Sequence, residues 1–135
     1  CVYHCDNNVC DHMSMILEFD DGVSATFSLT AQTNQVYRHI HIMCQDGEIL
    51  ADGEERTVEI RRFVTSPNDT FENRVIHIRT NSSGHGGGDY GIMQDFLAVL
   101  RDGGESRTSA AASLQSHLIC FAAERSRKEH IVVQL

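Results

Sequence analysis

The chain has 135 residues, of which 41% are hydrophobic and 22% charged, a size and balance that suit one soluble globular domain. Its formal net charge of −8 argues against a nucleic-acid partner, because no basic stripe is present to neutralise phosphates. No apolar run approaches the roughly 18 residues of a membrane span, so no membrane partner is expected.

The first periodic segment starts at His12. Met13, Met15, Leu17 and Phe19 alternate with Ser14, Ile16 and Glu18, the period of a strand. Asp20-Asp21-Gly22 is a hairpin signal, and Val23, Ala25, Phe27 and Leu29 line one side of the return strand. Alternation over residues 37–44 predicts a third strand, turned by Gln45-Asp46-Gly47 into a fourth over residues 48–50. Residues 57–63 and 74–80 alternate in the same way. The loop between them holds Pro67, the only proline of the chain.

The period then changes. After Gly84-His85-Gly86-Gly87-Gly88-Asp89, the residues Ile92, Phe96, Val99 and Leu100 fall on one helical face, and Gly103-Gly104 ends that helix. Thr108 or Ser109 is placed to cap a second helix with Leu114, Leu118, Phe121 and Ala122 on its apolar stripe. Residues 130–135 read as a last short strand. Strands first and helices afterwards predict an α+β fold, an open-faced, predominantly antiparallel sheet with helices packed on one face. The other face is then either solvated or, in the homo-oligomer expected through the sheet, covered by a second copy of the chain.

Five cysteines, at positions 1, 5, 10, 44 and 120, make no even disulfide framework and fit a reducing, cytoplasmic setting. No signal peptide is visible, and a chain that begins at Cys1 reads as a fragment.

Several blocks together resemble the C-terminal domain of the glucose–fructose oxidoreductase / inositol dehydrogenase (Gfo/Idh/MocA) family. They are residues 1–12 (CVYHCDNNVCDH), 18–22 (EFDDG) and Gly47-Glu48. Residues 84–89 (GHGGGD) with Asp95-Phe96, 113–117 (SLQSH) and 121–127 (FAAERSR) complete the set. The resemblance covers nearly the whole chain and implies that residues 1–135 are a substrate-binding and oligomerisation domain. It further implies a parent NAD(P)-dependent oxidoreductase acting on a sugar-like or polyol substrate. NAD or NADP would sit in an N-terminal Rossmann domain that this sequence does not contain. Gly84–Gly88 does not fit the dinucleotide fingerprint, and the family's Glu-Lys-Pro motif, with its proton-transferring lysine, is absent. No complete catalytic set and no cofactor-binding residue is therefore expected in this chain. Asn8 also departs from the aspartate that the resemblance implies.

His85 is the leading site residue. An imidazole among glycines can approach a substrate carbonyl or hydroxyl closely and trade protons with it near neutral pH. Asp89 is a second candidate for a sugar hydroxyl, although a carboxylate in the first turn of a helix also suits the helix dipole. Tyr3 and His4 are expected on the pocket wall. His4, Cys5, Cys10, Asp11 and His12 invite a zinc reading, but the second ligand pair that zinc requires is not recognisable downstream, and no metal is assigned. His39 and His41 share a strand face and read as structural or interfacial.

Overall fold

The computed structural model describes residues 4–67, 72–79, 84–106 and 108–135. They carry 32% helix and 30% strand in antiparallel sheets, an α+β fold as the sequence predicts. Two compact units divide the chain: residues 1–31 with 83–135, and residues 32–82.

The first unit opens with a hairpin of β1 (His12–Glu18) and β2 (Ser24–Thr30). Its turn forms where Asp20-Asp21-Gly22 predicts it. Gly22 takes φ 84°, a left-handed conformation that costs glycine little, and its N–H donates to the Phe19 carbonyl at 2.9 Å. The register sets Met13 against Leu29, Met15 against Phe27 and Leu17 against Ala25, so one face of the ribbon is wholly apolar.

Two helices follow in the same unit, α1 (Gly88–Asp102) and α2 (Ala110–Glu129). Both boundaries between them follow the sequence signals. Gly103 closes α1 with a positive φ, its N–H donating to the Val99 carbonyl at 3.0 Å. Of the two candidate caps for α2 it is Ser109 that acts, its side chain accepting from the Ala112 N–H.

The strand expected over residues 130–135 does not form. Ion pairs from Arg125 to Glu129, and from Arg127 and Lys128 to Glu124, continue α2 through Glu129. His130 then ends the helix in a left-handed conformation, and the Ser126 hydroxyl donates to the Ile131 carbonyl at 2.7 Å.

The second unit is a four-stranded antiparallel meander, β3 (His39–Met43), β4 (Gly47–Asp52), β5 (Thr57–Arg62) and β6 (Glu72–His77), each strand paired with the next. The expected continuous run of six strands is thus two sheets, of two and four strands. The polar segment 31–38 between β2 and β3 is too long for a tight hairpin, so nothing local pairs those two strands. The last strand also starts two residues earlier than its predicted span, at Glu72.

Register makes the four-stranded sheet two-faced. Ile40, Ala51, Val58 and Ile76 stand in one cross-strand row, with Ile42, Ile49, Ile60 and Arg74 in the next row of the same face. The opposite face carries His39, Asp52, Thr57 and His77 in one row and Met43, Glu48, Arg61 and Asn73 in another. Gly47 at the start of β4 is buried because the Arg61 carbonyl occupies the space a Cβ would need. Among the described residues no apolar side chain is fully buried within the single chain.

Candidate functional site

The glycine-rich segment forms a short 3-10 turn over Gly84–Gly87 that runs straight into α1. His85 (φ 53°) and Gly86 (φ 66°) both take left-handed backbone conformations within it, and Gly87 (φ 98°) follows. For a residue with a Cβ this conformation costs about 1 kcal/mol, so His85 is held there against its own preference. One return is visible: His85 Nδ1 lies 2.8 Å from Asp89 Oδ1, four residues on and in the first turn of α1. The other Asp89 oxygen, Oδ2, fills the space a Cβ on Gly84 would take. The absence of a side chain at position 84 is thus what lets the carboxylate fold back to the imidazole. No side-chain hydrogen bond caps the start of α1.

An open groove of about 620 Å³ runs along α1 from Gly88. Gly91 and Ala98 give it a shallow floor, and Tyr90, Gln94, Asp95 and Thr108 bring polar atoms to it. Beside the groove the Ser106 hydroxyl donates to Asp95 Oδ2 at 2.7 Å and accepts from the Thr108 N–H at 3.2 Å. Sequence reading singled out His85 and Asp89 but missed Tyr90, Gln94 and Thr108. The available signal was the spacing of Gly88, Gly91 and Asp95 along one side of the helix.

His85 and Asp89 are therefore brought together. His4 is exposed, and Tyr3 lies outside the described residues. Among the described residues no group of three or more metal-ligating side chains could hold a metal ion, so no zinc centre is assigned around Cys5 and Cys10. A dinucleotide does not fit the described residues either: every strand pair is antiparallel, and the βαβ unit that cradles a pyrophosphate is not among them.

The polar face of the four-stranded sheet holds a second constellation that sequence reading did not anticipate. His41 Nε2 lies 2.7 Å from Glu48 Oε2, and Arg61 donates to Glu48 Oε1 at 3.1 Å. Arg61 also grips both oxygens of Glu59 at 2.8 Å, and Asn73 donates to Glu59 Oε1 at 2.6 Å. The bond to His41, then that to Arg61, holds the Glu48 carboxyl below the usual range. Arg61, then Asn73, does the same for Glu59, and the two carboxylates, Glu59 foremost, hold the guanidinium firmly protonated. His39, the other histidine expected on this face, lies 3.4 Å from Asp52 and stacks on Tyr37. This network ties four strands together.

His117 donates through Nδ1 to the Ser113 carbonyl one turn back, at 2.7 Å. No helix among the described residues is long and apolar enough to cross a membrane.

No protein-family model, curated protein or solved structure matches the chain.

Proposed function

We propose that the chain is the substrate-binding and oligomerisation domain of an NAD(P)-dependent oxidoreductase that acts on a sugar-like or polyol substrate. The observation that carries this reading is the His85–Asp89 pair, set in a glycine-rich turn at the uncapped start of α1. Small residues allow close approach, and the imidazole supplies a hydrogen-bonding group suited to a hydroxyl or carbonyl. The groove along α1 is lined by Gly88 and Tyr90, the neighbours of Asp89, and not by the pair itself. The nicotinamide belongs to residues outside this chain, and no hydride step is derived from the residues described. A cytoplasmic location accompanies the reading. Cys10, Cys44 and Cys120 are free thiols, as a reducing compartment keeps them.

The test has two parts. An immunoblot of source cells against this domain is expected to show a band heavier by roughly 100–150 residues or more, the size of a nucleotide-binding domain. In that native protein His85→Ala is expected to lower kcat/KM for a polyol by about a hundredfold while sedimentation stays unchanged. A band at the size of the chain itself, or full activity in the variant, overturns the reading.

A second reading is a non-catalytic module that assembles through the sheet. It is favoured by the face of Ile40, Ile42, Ile49, Ala51, Val58, Ile60 and Ile76, which also carries Arg74; Ile40 and Ile42 are exposed and the other five apolar residues half-buried. Under this reading Ile60→Glu abolishes assembly and His85→Ala changes nothing.

A further inference from the structure

We propose that Asp89 is a positioning residue for His85, holding the imidazole proton on Nδ1 so that Nε2 faces solvent as an acceptor for a substrate hydroxyl. The inference deepens the polyol-binding reading of the same site and rests on it. An ionised carboxylate only accepts hydrogen bonds, so the ring nitrogen 2.8 Å from Asp89 Oδ1 carries the proton. A neutral imidazole has one N–H, which leaves Nε2 with its lone pair. The His85 side chain is 86% exposed, so Nε2 is open to an incoming molecule.

Polarity follows from that tautomer. An Nε2 without hydrogen can accept from an alcohol but cannot donate to a carbonyl oxygen. The neutral site thus reads a hydroxyl and not a carbonyl oxygen. Imidazole free in water favours the opposite tautomer, so the preference has to be imposed. Three local features impose it: the left-handed backbone of His85, the carboxylate four residues later, and the missing side chain at Gly84 that gives the carboxylate room.

The two ring nitrogens are distinguishable by 15N NMR, and neither Asp89 nor Gly84 needs to be lost from a packed core to test them. In the whole chain at about pH 9, above the range where an ordinary imidazole is protonated, Nδ1 of His85 is expected to carry the hydrogen. Asp89→Asn offers an amide donor to Nδ1 and is expected to move the hydrogen to Nε2. Gly84→Ala, which pushes the carboxylate away without altering its charge, is expected to shift the balance the same way. Sorbitol is then expected to perturb Nε2 in the wild type, with about tenfold weaker binding in Asp89→Asn.

A wild-type hydrogen on Nε2, or a tautomer untouched by both substitutions, overturns the positioning role while leaving the binding reading standing if sorbitol still perturbs His85. The expected tautomer with no response to sorbitol overturns the acceptor role and the polyol reading together.

Discussion

In the four-stranded sheet the side-chain contacts that define the structure join distant positions: Arg61 reaches Glu48 across 13 residues and Asn73 reaches Glu59 across 14. Along α2 they join near neighbours, with Arg127 gripping Glu124 three residues back and Arg125 meeting Glu129 four residues on. The sheet therefore depends on register, since a one-residue slip of β5 would carry Arg61 and Glu59 to the apolar face. The helix depends on composition and caps, and its pairs form wherever the chain is helical. The two parts of the molecule should consequently fail in different ways.

The sharpest way to break the sheet alone is at Gly47. A methyl group there meets the Arg61 carbonyl, which is backbone and has little freedom to yield. Gly47→Ala is expected to destabilise the sheet by about 2–3 kcal/mol, the usual scale for overpacking a closed contact. Urea unfolding read by hydrogen exchange in β4 and β5 measures it, and α2 should keep its protection. Loss of protection in α2 to the same extent would mean that the two regions unfold as one.

The same distinction separates what the sequence disclosed from what it did not. Asp20-Asp21-Gly22, Gly103 and Ser109 were legible because a turn, a helix stop and a cap are each decided within a few residues. Residues 130–135 misled because an apolar run becomes a strand only when a partner strand is available, and partners are not written locally. The division of the strands into two sheets was hidden for the same reason. At the candidate site, His85 and Asp89 were each visible as residue types, but their pairing depends on the left-handed turn at His85. Arg61 stands beside Arg62 in the sequence, and nothing local marks its partner on β4. Only the register reveals that it is held by two carboxylates from different strands.

A smaller and purely local effect is expected at the start of α2. Ser109→Ala removes the acceptor for the Ala112 N–H and should cost about 1 kcal/mol. Faster amide exchange confined to the first turn of α2, with the sheet unchanged, is the signature. A loss spread across β3–β6 would break the comparison between the two regions.

The smallest effects are electrostatic, and acid separates them. Glu48 and Glu59 have folded-state pKa values depressed below 4.5, by His41 and Arg61 for the one and by Arg61 and Asn73 for the other. A depressed carboxylate binds protons more readily unfolded than folded. Its stabilisation is therefore complete above about pH 4.5 and is lost as pH falls through the folded value. Arg61→Gln is expected to lower the urea midpoint of the sheet slightly at neutral pH and to flatten its fall on acidification. Glu124 in α2 is held lower, at about 2, first by Arg127 and then by Lys128. Its contribution should therefore decline below about pH 4.5 and disappear only near pH 2, and Glu124→Gln should speed exchange only in the last turns of α2, most clearly above about pH 4.5. If Arg61→Gln leaves the acid profile unaltered, the cross-strand network is a set of solvated side chains. Register would then be held by the backbone ladder and the apolar face alone.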